Sequence, residues 1–118
     1  RYEAVDTDDA DIVLVAYGTT SRVCRAAMDR ARAAGIRVGL IRPITVSPFP
    51  YQAIADAART ARAFLTVEMS LGQMVEDVKL AVCGAAPVHF YGTTGGIVPT
   101  ASAIAEEARK IAMAEVGK

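Results

Sequence analysis

Ile12-Val13-Leu14-Val15-Ala16 is an unbroken apolar run. A strand with one wet face alternates apolar and polar residues, so a run without alternation needs cover on both faces. Similar short segments recur around Val38-Gly39-Leu40-Ile41, over residues 63–67 and at Val88-His89-Phe90-Tyr91. Between them the apolar spacing becomes helical. Over residues 22–34, Val23, Ala27, Ala31 and Ala34 form an inward stripe, with Arg22, Arg25, Asp29 and Arg32 turned to water. Ile54, Ala58 and Ala61 mark a second helix over 51–62. Met74, Val75, Val78 and Val82 mark a third over 73–82, and Ile104, Ala108 and Ile111 a fourth from 100 to about 116. Such alternation predicts an α/β fold: a three-layer α-β-α sandwich around a mostly parallel sheet of four to five strands.

At 118 residues the chain is the size of one domain. Its acidic opening (Glu3, Asp6, Asp8, Asp9, Asp11) is aperiodic, which predicts a lead-in over residues 1–10 and a single domain over 11–118. The chain opens on Arg1 rather than on Met, as expected of a piece of a longer protein. Thirteen basic residues balance thirteen acidic ones. That argues against nucleic-acid or membrane-surface binding, both of which favour a basic excess. No apolar run approaches the ~20 residues of a membrane-spanning helix, and no secretory leader opens the chain. Cys24 and Cys83 lack the Cys-x-x-Cys spacing of zinc or iron–sulfur boxes and are expected to be buried thiols in the reducing cytoplasm.

Several chemistries are missing from the motifs. The first strand ends in a turn with only Gly18, which does not make a dinucleotide fingerprint, and no Gly-Lys-Ser or Gly-Lys-Thr phosphate loop occurs. A phospho-acceptor domain needs a carboxylate pair where this chain has Ala16-Tyr17-Gly18. No nucleophile–base set is visible. The lone His89 lies mid-strand and reads as a structural partner, and Thr19, Thr20 and Ser21 read as a helix cap. Glu68, at the carboxyl end of the third strand, reads either as a cap or as a binding group, because parallel sheets place their sites at that edge. Gly92-Thr93-Thr94-Gly95-Gly96 suits a tight turn or an anion nest. Pro43, Pro48 and Pro50 stiffen a loop carrying Ile44, Val46 and Phe49, apolar residues that a soluble loop gains nothing by exposing.

Three segments together carry a resemblance. They are Ile12-Val13-Leu14-Val15-Ala16-Tyr17-Gly18-Thr19, Leu40-Ile41-Arg42-Pro43-Ile44-Thr45-Val46-Ser47-Pro48-Phe49-Pro50 and Val67-Glu68-Met69-Ser70-Leu71-Gly72-Gln73-Met74-Val75-Glu76-Asp77-Val78. From about residue 9 to residue 111 the chain resembles the transketolase-C-terminal-like domain of 2-oxoacid:ferredoxin oxidoreductase alpha subunits, most of all the 2-oxoisovalerate or 2-oxoglutarate type. The resemblance implies a parent enzyme that converts a 2-oxoacid and coenzyme A to acyl-CoA, carbon dioxide and reduced ferredoxin. It implies thiamine diphosphate with Mg2+, in a site built by the N-terminal part of the same subunit and a beta subunit, and a [4Fe–4S] cluster that carries electrons away. Neither a thiamine motif nor cluster cysteines stand in this chain, so the resemblance implies a non-catalytic domain that packs beside the active site. Two other readings stay open: the equivalent domain of a lipoate-linked 2-oxoacid dehydrogenase beta subunit, and a free-standing ligand-binding module.

Either way, function is expected at the loops leaving the carboxyl ends of the strands. Ile44, Phe49 and Leu71 are the candidate apolar contacts of a docking edge, with Arg42 and Glu68 as polar contacts.

Overall fold

A computed structural model describes residues 2–44, 49–69, 73–93 and 97–115. The described chain runs β1 (Tyr2–Val5), β2 (Ile12–Val15), α1 (Thr19–Ala33), β3 (Val38–Pro43), α2 (Tyr51–Ala57), β4 (Ala63–Glu68), α3 (Gln73–Val82), β5 (Val88–Gly92) and α4 (Ala101–Glu115). The sheet has five strands in the order β1-β3-β2-β4-β5. Strands β2 to β5 pair in parallel, and β1 joins the β3 edge antiparallel, with Tyr2 opposite Pro43 and Val5 opposite Leu40. The acidic opening thus contributes an edge strand, where its composition predicted a lead-in. Its residues are exposed apart from half-buried Val5, so β1 lacks the apolar signal by which the central strands announce themselves.

Strand alternation divides the interior into two cores. Ile12, Leu14, Leu40, Leu65 and Val67 face α1 and α4, meeting Cys24, Met28, Ile104 and Ile111. Val13, Val15, Ile41 and Phe64 face α2 and α3, meeting Ile54, Met74 and Val78. All four residues of β2 are fully buried, as the unbroken run requires. The stripe that α1 buries is centred on Cys24, Ala27, Met28 and Ala31, about one position from the one read in sequence, and Ala34 is left exposed. Helix α2 is shorter than its periodicity suggests, yet Ala58 and Ala61 beyond its end still turn inward.

The connection from β1 to β2 crosses above Gly39. A Cβ at Gly39 would lie 2.7 Å from the Asp6 carbonyl oxygen and 3.1 Å from the Ala10 Cβ. Asp6 itself holds a left-handed φ of 53°. Arg32 fastens this connection by donating to the carbonyls of Val38 at 2.8 Å and Asp6 at 3.0 Å and to the Asp9 carboxylate at 2.8 Å. That last bond lowers the Asp9 pKa and raises that of Arg32. Gly39→Ala is therefore expected to destabilise the fold by about 1–3 kcal/mol, since a backbone carbonyl must move to admit one methyl. Urea titration checks this; an unchanged midpoint would mean the connection is free to lift.

Candidate functional site

The order β3-β2-β4 reverses the direction of chain progression. From β2 the chain crosses through α1 to β3, then returns through α2 past β2 to β4. In open α/β sheets such a reversal leaves a crevice at the carboxyl ends of the two diverging strands. Here it is a cavity of about 240 Å³ between β2 and β4, lined by Tyr17, Gly18, Thr19, Thr20, Val67, Glu68 and Met69. Gly18 turns the chain into α1 with a φ of 66°. Thr20 and Ser21 are buried behind it, and the Ser21 hydroxyl donates back to the Gly18 carbonyl at 2.6 Å.

Glu68 is the one carboxylate in this lining, and it is buried at 4% exposure. Its Oε1 accepts the Met74 N–H at 2.8 Å and its Oε2 the Val75 N–H at 3.0 Å. These are first-turn amides of α3, which have no partner within the helix. A negative charge at a helix N-terminus is also favoured by the aligned peptide dipoles. The structure thus gives Glu68 the capping role, the plainer of the two readings open in the sequence. The backbone carbonyl of Glu68 accepts the Thr93 N–H at 3.1 Å, which draws the chain after β5 toward the same corner. The Thr93 hydroxyl in turn donates to the Ile97 carbonyl.

The other predicted site residues separate. Ile44 is exposed, as expected. Arg42 is half-buried and pairs with Glu3 at 3.6 Å. Phe49 is less exposed than the proline loop suggested. It is half-buried against the α2–α3 core, its ring 5.0 Å from that of Tyr51 and edge-on to it. Tyr51 donates to the Asp77 carboxylate at 2.8 Å, which ties α2 to α3 and raises the phenol's pKa. Substituting Phe49 is therefore expected to cost stability as well as docking. Leu71, Val46 and residues 94–96 of the glycine loop lie outside the described residues.

Cys24 is fully buried and its thiol is pushed up to about 12 by desolvation. Cys83, expected to be buried too, is exposed at the end of α3 with a left-handed φ of 52°. His89 keeps its Nε2 buried without a hydrogen-bond partner, as does Thr66 its Oγ1. Among the described residues no group of three or more His, Cys, Asp or Glu is placed to hold a metal ion.

Sequence reasoning missed a second concavity of about 330 Å³, lined by Glu3, Ser21, Arg22, Arg25, Leu40 and Arg42. Periodicity turned Arg22 and Arg25 to water, and nothing local links them to Arg42 or to a strand in the opening residues.

Known proteins share both the fold and the sequence. A solved 2-oxoglutarate:ferredoxin oxidoreductase from Magnetococcus marinus, with 2-oxoglutarate, coenzyme A and succinyl-CoA bound, superposes with a TM-score of 0.75 at 21% identity, over 93% of this chain and 19% of that one. A split-gene transketolase, solved as an inactive beta4 tetramer, gives 0.77 at 20% identity, over 93% of this chain and 40% of that one. At these identities the likeness concerns the fold alone. In sequence, ketoisovalerate oxidoreductase subunit VorB of Methanothermobacter marburgensis is 48% identical over 112 residues, 95% of this chain and 32% of its own length. The 2-oxoglutarate synthase subunit KorA of the same organism is 43% identical over 90 residues, 76% of this chain and 24% of its own length. The chain therefore spans about a third or less of these relatives. The family model described as pyruvate:ferredoxin oxidoreductase core domain II matches residues 10–104, a stretch that runs from the start of β2 into α4 and holds both sides of the crevice. With that match over most of its length, the chain belongs to the pyruvate:ferredoxin oxidoreductase core domain II family.

Proposed function

We propose that the chain is a non-catalytic domain of a thiamine-diphosphate-dependent 2-oxoacid:ferredoxin oxidoreductase alpha subunit, of the ketoisovalerate type, working in the cytoplasm. Its role is to pack against the N-terminal part of its own subunit and against a thiamine-binding beta subunit. Thiamine diphosphate and Mg2+ sit in those other parts, the [4Fe–4S] cluster belongs to the parent enzyme, coenzyme A is the cosubstrate, and ferredoxin meets the assembled enzyme. The 48% identity to a ketoisovalerate oxidoreductase subunit supports the substrate class. Two unpaired cysteines, one of them at the surface, are in keeping with a reducing compartment. The family match and the relatives' names favour this reading over a lipoate-linked dehydrogenase domain or a free-standing module.

The observation that carries the packing role is where large apolar side chains are exposed. Five of the nine exposed large apolar side chains among the described residues, Tyr17, Ile44, Tyr51, Ile97 and Val98, lie at the carboxyl edge, after β2, β3 and β5 or at the start of α2, and are 43% to 67% exposed, whereas Leu80, Phe90 and Met113 lie on other elements. Apolar surface gathered in one region marks an interaction site more often than scattered apolar residues do. Arg42 stands beside Ile44 as a polar contact at the same edge. Glu68 and Phe49 support this edge from within, as cap and as core contact.

The full-length subunit, assembled with its thiamine-binding partner, is expected to reduce an electron-accepting dye in a coenzyme-A-dependent reaction, fastest with branched-chain 2-oxoacids. No turnover with any branched-chain, aromatic or dicarboxylic 2-oxoacid would overturn the proposal.

A further inference from the structure

The cavity that sequence reasoning missed has an unusual lining. Arg22 and Arg25 come from the first two turns of α1, Arg42 from the end of β3 and Glu3 from β1. Alternation puts Arg42 on the same face of the sheet as core residue Leu40, so its side chain leaves toward α1. Three arginines thus line one concavity of about 330 Å³, with Glu3 as the single acidic residue among them.

Elsewhere in the described chain basic residues are mostly paired. Arg32, Arg37, Arg59, Arg62, Lys79, Arg109 and Lys110 each have a carboxylate within 4.0 Å. Arg22 and Arg25, like Arg30 elsewhere on α1, form no ion pair among the described residues, and both are exposed. Arg42 has only the Glu3 contact at 3.6 Å, between side chains 40% and 49% exposed. Such an exposed pair is weak and is readily exchanged for a better acceptor.

Local rules are broken here as well. Arg22 stands in the first turn of α1, where the helix dipole disfavours a cation, and that turn contains no acidic residue. Arg25 lies three residues on, a spacing at which like charges repel. Asp29, four residues after Arg25, has the spacing to offset part of this repulsion, but it forms no ion pair with Arg25 among the described residues, and Arg22 has no acidic residue in its turn. Breaches of local preference without compensation concentrate at functional sites.

The geometry points to a binding site for the phosphoryl group of a small molecule, in the cavity between α1 and the β3–β1 edge, held by Arg22, Arg25 and Arg42. The lining carries three positive charges and one negative, which suits a group of charge about −2. A tetrahedral phosphoryl group offers several acceptor oxygens and so engages several guanidinium forks at once; a lone carboxylate satisfies one fork.

The test is a pyrophosphate titration of the full chain at constant ionic strength, followed through the arginine Nε–H signals by nitrogen-15 NMR. Saturable shifts are expected at Arg22, Arg25 and Arg42 and not at Arg59. The paired substitutions Arg22→Ala and Arg25→Ala, both at exposed positions, should weaken binding at least about tenfold. Arg59→Ala should leave it unchanged. Glu3→Gln, which removes the competing carboxylate, should tighten it. Succinate, a dianion of separate carboxylates, should bind at least about tenfold more weakly than methyl phosphate held at pH 8, where the two ions carry the same charge. No saturable shift at the three arginines, equal binding of succinate and methyl phosphate, or pyrophosphate binding that survives the paired substitution would each overturn the proposal.

Discussion

Phe64→Ala is expected to destabilise the domain by about 3–5 kcal/mol. Phe64 sits on β4 with no solvent exposure, in the α2–α3 core against residues such as Val78 and Ile54. Removing its ring takes away both the transfer free energy of the buried atoms and the contacts of the surrounding shell, which collapses only partly. A domain of this size is stable by about 5–15 kcal/mol, so the loss is a large share of the whole. The chain contains its own control. Phe90 faces the same side of the sheet from edge strand β5 but is 44% exposed, and Phe90→Ala is expected to cost less than half as much. Urea unfolding of both variants checks the pair; equal losses would mean that the core is not centred on β4.

Glu68→Gln is expected to cost about 2–3 kcal/mol, although the side chain keeps its size. Glutamine has one acceptor oxygen where Glu68 uses two, so one of the amides of Met74 and Val75 would face an NH2 group. Hydrogen bonds to a charged acceptor contribute about 1.5–3 kcal/mol, and a buried donor left unsatisfied costs about 1–3 kcal/mol. The loss should be local at first, with the Met74 and Val75 amides exchanging hydrogen faster than those of α1. A loss below about 0.5 kcal/mol, with exchange unchanged, would remove Glu68 from the cap.

The parallel core was legible because a strand covered on both faces writes itself as an uninterrupted apolar run, as 12–16 does. The inward stripe of α4 (Ile104, Ala108, Ile111) was legible for the same kind of reason, through its helical period. Strand β1 was not, because an exposed edge needs no apolar pattern and is held by main-chain pairing to β3. The capping by Glu68 spans six and seven residues, beyond the three-residue spacing by which a local capping box is recognised. The partial burial of Phe49 was not legible because flanking prolines signal a stiff loop without saying which way its ring turns. Cys83 was misread because it directly follows the last apolar residue of α3, just as the helix ends. The arginine-lined cavity joins residues from β1, α1 and β3, a meeting that only the tertiary fold creates.

The central claim is that the carboxyl edge is the packing face. Hydroxyl-radical footprinting tests it by comparing the protection of side chains, all exposed in this domain, between the domain alone and the complete assembly. Tyr17, Ile44 and Tyr51 stand at that edge, 44% to 49% exposed in this domain. Leu80 and Met113, 70% and 73% exposed, stand near the ends of α3 and α4, away from it. The account predicts that in the intact assembly Tyr17, Ile44 and Tyr51 are protected while Leu80 and Met113 oxidise freely; modification of the first three, with Leu80 and Met113 shielded, would contradict it.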